Sequence, residues 1–354
     1  MSKPTVVLWP FKYKDLRTND NAPSYSWETR IKWVCEALQE KGYDILQHKE
    51  FLADIPGAKE YENQKECDVV IYNHCDTSEI RGNVIKAERT WFFKPTVPDV
   101  FQTTLDELGY GSYSSITYDK PEFERVDMQS VNYFFESKVK NWINKNDSKW
   151  GKDHMPARHD IKIEDYYLVI GQCGGDSVVN HQDFGSYFTK LKLIIAELSR
   201  VADRPIIVKL HPYTNGKDYV PGVDKNYISE LTAEIKSINE NIIVYGDFSS
   251  IHDFIPNARC IFVGNSGAGF EVMMHHKPII SFCFPEYHWI TYDLRKTCDI
   301  HNAIKIENWF DQELSDKFLY WYMEQYCFYD KTTAKDRVEE LLGEPEIEYR
   351  TVFK

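Results

Sequence analysis

The sequence predicts an α/β protein of two nucleotide-fold lobes with a cleft between them. Its 354 residues exceed one ordinary core and suit two domains. Short apolar runs alternate with amphipathic stretches along the chain. Glycine-marked polar loops follow several of those apolar runs directly, which is where such folds place ligands. With 42% hydrophobic and 27% charged residues, the composition is that of a folded globular chain rather than a disordered one.

The first lobe begins β-α-β. Val6-Val7-Leu8-Trp9 reads as a strand, and a loop rich in Asn, Asp and Pro follows it. From Trp27 to Lys41, the residues Trp27, Ile31, Val34, Cys35 and Leu38 share one helical face, and Gly42 supplies the stop. "YDILQH" and "CDVVIYN" read as the next two strands. In "FFKPTVPDVFQTTLDELGYGSYSS", Asp106 and Glu107 follow an apolar-polar alternation and precede Gly109 and Gly111, which puts them at a turn. A carboxylate there, facing the cleft, has the chemistry of a nucleophile or a base; the plainer reading is a turn residue.

Around residues 136–165 the composition becomes polar and basic, with Gly151 and Pro156, and this stretch reads as the inter-lobe linker. Residues 138–158 hold six Lys/Arg against two Asp, with Trp142 and Trp150 among them. They read as a solvated linker with apolar anchors, the alternative being a binding surface. The expected division is a first lobe at 1–150, a second at 160–310 and a helical segment at 311–354.

The second lobe repeats the strand-turn-helix unit. Tyr166 to Ile170 is a buried strand ending in "GQCGGDS", and Phe184 to Val201 a helix with Phe188, Leu191, Ile194, Ile195 and Leu198 inward. There follow a strand "RPIIVKLHP", a helix from Ile228 to Ile238, a strand "NIIVYG", a short helix "SSIHDFIPNA", a strand "CIFVGN", a helix "GFEVMMHH" and a strand "KPIISFC". Such repeats imply a parallel sheet with its loops, and a ligand, at the carboxyl ends of the strands. From Gln312 to Leu342 the chain reads helical, and its aromatic cluster is expected to pack across the lobes.

Three loops of the second lobe carry polar chemistry. In "VGNSGAGFEVMMHHKP", Asn265 and Ser266 stand at a helix cap, and the amides of Gly267 to Gly269 are expected to point outward and favour an anion such as phosphate. Glu271, in the first turn, can accept from two ribose hydroxyls or simply complement the helix dipole. His275 and His276 are adjacent, so a helix separates them by about 100° and one metal ion is poorly served by both. In "IIVKLHPYT", Lys209 and His211 face the same way near a strand end, suited to neutralise a phosphate and to donate to a departing one; the alternative is that His211 caps a backbone group. In "LVIGQCGGDSVV", Gln172, Asp176 and Ser177 project polar groups from a glycine loop.

Composition excludes several classes. No run of eighteen apolar residues occurs and Met1-Ser2-Lys3-Pro4 leads into no signal-peptide core, so a cytoplasmic protein without an integral membrane segment is expected. The eight cysteines are scattered without a CxxC pair, as reduced thiols are, and no structural zinc is expected. A net charge of -13 disfavours nucleic acid and anionic membranes.

Taken in order, "TTLDELGYGSYSS", "LVIGQCGGDSVV", "IIVKLHP", "NSGAGFEVMMHHKPIISFCFPEYHWITYD" and "FLYWYMEQYCFYD" resemble the capsule polysaccharide biosynthesis family, over roughly residues 90 to 342. Its best-understood members are retaining β-Kdo glycosyltransferases. The resemblance implies a GT-B architecture with the nucleotide sugar held mainly by the second lobe and the acceptor chosen by the first. Lys209 and His211 match the family's Lys-x-His-Pro element, and Ser266, Gly269 and Glu271 its Ser-x-x-Gly-x-Glu element, which assigns them to donor phosphate and ribose. Gln172 and Asp176 match a strand-end Gln and the Asp after it. Asp106, with Glu107 beside it, matches a carboxylate that looks like the nucleophile of a double displacement. The first ninety residues carry no family signature, and His275 and His276 stand where small residues are commoner.

The function so implied is transfer of a sugar, Kdo-like or a pentose, from a nucleotide donor (a CMP-activated one by the resemblance) to a surface-glycan acceptor with retention. No metal and no cofactor beyond that co-substrate are expected. Two other readings stand beside it: a viral enzyme glycosylating 5-hydroxymethylcytosine in DNA, for example with arabinose, and an inactive sugar-nucleotide-binding protein.

Overall fold

The structure, a computed structural model, describes residues 3–8, 27–48, 55–61, 66–73, 86–97, 102–146, 158–174, 179, 187–211 and 227–343. The chain forms two compact units, one of Met1–Tyr110 with Met323–Lys354, the other of Gly111–Tyr322.

The first unit holds a six-stranded sheet of β1 (Thr5–Leu8), β2 (Asp44–His48), β3 (Lys59–Tyr61), β4 (Glu66–Asn73), β5 (Lys86–Val97) and β6 (Gln102–Asp106), in the order β3-β2-β1-β4-β5-β6. Only the β5–β6 pair is antiparallel. Helix α1 (Trp27–Glu40) buries Ile31, Val34, Cys35 and Leu38, the face that the sequence marks out. Gly42 ends it at φ +93°, where a β-carbon would be strained, while Tyr43 N donates to Leu38 O and Gly42 N to Gln39 O. The helix Lys331–Gly343 belongs to this unit, adding Ala334, Val338 and Leu341 to the α1 core. Ion pairs Lys331–Glu36, Lys335–Glu40 and Lys41–Glu339 rim that contact.

The second unit holds β7 (Tyr166–Ile170), β8 (Ile206–Lys209), β9 (Ile243–Tyr245), β10 (Ala258–Val263), β11 (Ile279–Ser281) and β12 (Tyr292–Asp293), in the order β12-β11-β10-β7-β8-β9 and parallel throughout. Its larger helices are α2 (Tyr187–Val201), α3 (Tyr227–Ile238), α4 (Ala268–Met274) and α5 (Gln312–Trp321). Numbered within itself, each sheet runs 3-2-1-4-5-6, the dinucleotide-fold order, with its direction of winding reversed between the first strand and the fourth.

The structure departs from the sequence reading in three places. Residues 111–146, expected in the first lobe, lie in the second unit. Their side chains explain this: Phe123 packs edge-on against Phe318 at 5.1 Å, Phe134 against Tyr320 at 5.6 Å, and Trp289 Nε1 donates to Ile116 O at 2.7 Å. The stretch from Gln312 to Leu342 is two helices, because α5 runs into a π-helical turn at Tyr322–Tyr326 and the chain then passes to the other unit, where Thr103 and Phe328 exchange backbone hydrogen bonds. "SSIHDFIPNA" yields only a 3₁₀ turn, Ile251–Asp253, with Ser250 as its cap.

Candidate functional site

In the second sheet the chain runs from β7 outward to β8 and β9 and then returns to place β10 on the other side of β7. Two parallel strands whose connections leave in opposite directions part at their carboxyl ends, and the crevice that results is the usual ligand position in such sheets. Gln172 lies just beyond β7, Gly264 and Asn265 just beyond β10, and Lys209 and His211 at the end of β8. Those three strands are neighbours, so the groups span two inter-strand spacings, about 10 Å.

Gly264 is where the crevice needs a glycine. A β-carbon there would stand 3.1 Å from Gln172 Oε1 and 3.1 Å from Tyr187 Cε2. Gln172 itself is only 5% exposed, and its Oε1 has no hydrogen-bond donor among the described residues. Leaving such an acceptor buried costs about 1–3 kcal/mol, a penalty that an N–H or O–H of a ligand would remove.

Lys209 is 4% exposed, and its Nζ donates to Leu210 O at 3.1 Å and Asp247 O at 2.7 Å. Burial pushes its ammonium down to about 8, against the pull of the Asp247 carboxylate. The lysine therefore ties the ends of β8 and β9 together with two of its three hydrogens, and an anion beside it would favour the ammonium form further. His211 is partly buried, with its Nδ1 3.2 Å from Cys173 Sγ. Gly171 N donates to Lys209 O at 2.8 Å, which holds the β7 loop against the β8 end.

The turn before α4 is built differently from the open cradle expected of its three glycines. Ala268 N donates to Ser266 Oγ at 3.2 Å, Gly269 N to Ser266 O at 3.1 Å and Phe270 N to Gly267 O at 3.0 Å, so these amides are engaged within the turn. A β-carbon on Gly269 would lie 2.7 Å from Tyr287 Cε2 and nearer still to its Cζ and hydroxyl. The space left by the glycine is filled by the Tyr287 ring, whose hydroxyl donates to Ser266 O at 2.5 Å. Gly174 is likewise covered by Phe188 and Gly246 by Ile228. These glycines admit the protein's own side chains.

Asn265 Nδ2 donates to Ser112 Oγ at 3.0 Å, which brings the 111–118 segment to the carboxyl end of β10. Glu271, in the first turn of α4, is 3% exposed, a position where the helix amino end favours a carboxylate. The Tyr287 phenol is held well above its ordinary value, first by burial and then by the Glu286 and Glu271 carboxylates. His275 and His276 part company: His275 Nε2 meets His252 Nδ1 at 2.8 Å, and His276 Nδ1 meets Asp316 Oδ1 at 2.9 Å. The chain has left the helix by His276, at φ +54°. Among the described residues, no group of three or more His, Cys, Asp and Glu is placed to hold a metal ion.

Asp106 belongs to the first unit, where it ends β6 with no exposed surface. Its Oδ1 accepts from Leu108 N at 2.8 Å and Gly109 N at 3.0 Å, and its Oδ2 from Tyr326 OH at 2.6 Å. Arg337 stacks over the Tyr326 ring at 5.1 Å and donates from Nε to Leu105 O at 2.9 Å. The carboxylate thus closes a turn, and Glu107, the next residue, is half-buried.

Asp176 and Ser177 lie outside the described residues, as do Trp150, Gly151 and Pro156. In the described part of the basic segment, Trp142 packs edge-on against Phe134 at 5.6 Å and Lys140 pairs with Glu136 at 3.1 Å. Sequence reasoning missed Cys173, Tyr287 and Ser112. All three lie in stretches already singled out, Cys173 in "LVIGQCGGDSVV", Ser112 in "TTLDELGYGSYSS" and Tyr287 in "FPEYHWITYD", but each meets a partner distant in sequence that no local pattern marks. No helix among the described residues is long and apolar enough to cross a membrane.

Comparison with known proteins agrees with this architecture. The family described as capsule polysaccharide biosynthesis protein matches residues 118–329. Among solved structures, the β-Kdo 2,4-transferase of Thermosulfurimonas dismutans KpsC superposes with a TM-score of 0.54 at 15% identity, covering 97% of this chain and 99% of that one. The β-Kdo 2,7-transferase of the same protein gives a TM-score of 0.48 at 16% identity, covering 96% and 99%. No curated protein matches the sequence. The fold is GT-B, as the sequence resemblance implied.

Proposed function

The chain belongs to the capsule polysaccharide biosynthesis family, and we propose that within it the protein is a glycosyltransferase that moves a sugar from a nucleotide donor to a glycan hydroxyl with retention. The observation that carries this reading is the reversal of strand order between β7 and β10, beside which the buried Gln172 Oε1 has no hydrogen-bond donor among the described residues and Lys209 and His211 stand one strand away. In this reading Gln172, Asn265, Ser266 and Glu271 meet the nucleoside, and Lys209 and His211 meet the phosphate. Asp176 and Ser177 complete the donor site, while the Gly267 to Gly269 turn is closed on itself and covered by Tyr287. The donor sugar is Kdo-like by analogy with the activity named for the Thermosulfurimonas dismutans transferase, and its activation by CMP is what the sequence resemblance implies.

In a double displacement, retention comes from a carboxylate that attacks the anomeric carbon. A carboxylate oxygen forms the bond to carbon while the carbon–oxygen bond to phosphate breaks and its electron pair leaves with the phosphate. The acceptor hydroxyl then displaces the carboxylate, forming the new bond from oxygen to the anomeric carbon as the ester bond breaks, and its proton passes to the released carboxylate. Asp106 closes its turn with both oxygens hydrogen-bonded, and it and the adjacent Glu107 are the two carboxylates of this turn from which the nucleophile would come.

Calorimetry with CMP, CDP, UDP and GDP, each with and without chelator, tests the donor. Preferential, chelator-insensitive CMP binding is expected. Tighter UDP or GDP binding would remove the CMP donor, and no nucleotide binding at all would remove the transferase. The anomeric configuration of the product, read by NMR, tests retention.

A further inference from the structure

The thiol of Cys173 and the imidazole of His211 meet at the carboxyl ends of neighbouring strands, Sγ to Nδ1 at 3.2 Å, with Cys173 only 4% exposed. We infer that Cys173 is a positioning residue: its S–H donates to His211 Nδ1 and holds the imidazole in the tautomer that carries its proton on Nε2. The significance for catalysis rests on the donor-site reading of His211, whereas the tautomer rests on the 3.2 Å contact together with the thiol's part as donor in it.

A neutral imidazole is a donor at one nitrogen and an acceptor at the other, and the bond made at one nitrogen decides the role of its partner. A thiol is a donor, and in a buried pair the neutral form avoids the cost of desolvating a thiolate–imidazolium ion pair. With Nδ1 accepting from sulfur, the proton lies on Nε2, across the ring. That is the form needed to donate to a phosphate oxygen as it departs. The opposite tautomer would present a lone pair to that anion and repel it. Nothing in a Lys-x-His-Pro motif determines this choice, because the partner is supplied by the loop after β7, 38 residues earlier.

Histidine-labelled protein, with His211→Gln to assign the resonance, allows the tautomer to be read from long-range ¹H–¹⁵N NMR without any donor. The wild type is expected to show a protonated Nε2 and an unprotonated Nδ1. Cys173→Ala should move His211 toward a tautomer mixture, and Cys173→Ser, which keeps a donor, should restore the wild-type pattern. A proton on Nδ1 in the wild type, protons on both nitrogens at neutral pH, or spectra unchanged in Cys173→Ala would overturn the inference. In turnover assays, Cys173→Ala should lower kcat by roughly 10-fold or more with KM little changed, as expected for a misdirected proton donor. If the NMR result holds but kcat does not fall, the tautomer assignment survives and the role proposed for His211 fails.

Discussion

Gly269→Ala separates two accounts of the glycine-rich turn. If the glycine keeps an anion cradle open, alanine should leave the unliganded protein as stable as before and weaken only donor binding. In the structure, the new β-carbon would lie 2.7 Å from Tyr287 Cε2, with the ring's Cζ and hydroxyl closer still, where carbon contacts normally settle at about 3.5–4.0 Å. The ring would have to retreat by about 1 Å or more, and it is buried on all sides. Overpacking of this kind costs about 1–3 kcal/mol. Breaking the bond from Tyr287 to Ser266 O in a buried setting adds about 1–3 kcal/mol. The sum, about 2–6 kcal/mol, corresponds to a fall in melting temperature of about 5–15 °C for a unit of this size. Thermal and urea unfolding of the donor-free protein measure it. Adding Tyr287→Leu should recover part of the loss, with a coupling of about 0.5–3 kcal/mol in the double-mutant cycle. A Gly269→Ala protein that melts within 1 °C of wild type and shows no coupling to Tyr287 would refute the packing account.

Four further outcomes are expected. Lys209 has a folded value of about 8, below its ordinary 10.5, so the unfolded chain binds more protons between those limits and this lysine's contribution to stability rises with pH there. A bound phosphate favours the ammonium form, so donor affinity should fall as pH climbs above about 8, with proton uptake visible by calorimetry and absent in Lys209→Met. His275 is pushed down to about 3, first by burial and then by His252, so it stays neutral in the fold while the unfolded chain gains its proton near 6.5. Stability should drop as pH falls from 6.5 toward 3, and His275→Gln should flatten that slope in urea unfolding. Asp106→Ala strands two backbone amides and the Tyr326 hydroxyl and should cost about 2–5 kcal/mol. If Glu107 is the nucleophile, Glu107→Gln should melt like wild type yet lose about a thousandfold or more in turnover, and a Glu107→Gln enzyme of ordinary rate would return the nucleophile to another carboxylate.

Periodicity made some elements legible and hid others. Helix α1 could be read to within a residue because Ile31, Val34, Cys35 and Leu38 face one core and Gly42 closes the helix in a left-handed turn. β7, β8 and β10 could be read because strands covered on both faces are runs of apolar residues. β3 escaped notice because it is three residues long with Lys59 and Glu60 exposed, and β5 because charged residues interrupt it. The unit boundaries were hidden because aromatic contacts of residues 111–146 reach partners far along the chain, as Phe123 does in meeting Phe318, 195 positions away.

The sequence by itself determined the α/β class, the parallel second sheet, the strand ends that carry Gln172, Lys209 and His211, and the helix turn that carries Glu271, because those follow from local spacing and from the rule that parallel sheets gather their loops at one edge. Only the tertiary structure decided what the spaces hold. It filled the hollow at Gly269 with Tyr287, turned Asp106 into a turn closure beneath Tyr326, and set Cys173 against His211. A glycine, a carboxylate and a histidine each advertise a capability in sequence, but whether that capability is open to a ligand or taken up by the fold depends on the side chain that arrives from a distant segment. Packing at close to crystal density leaves few such spaces vacant.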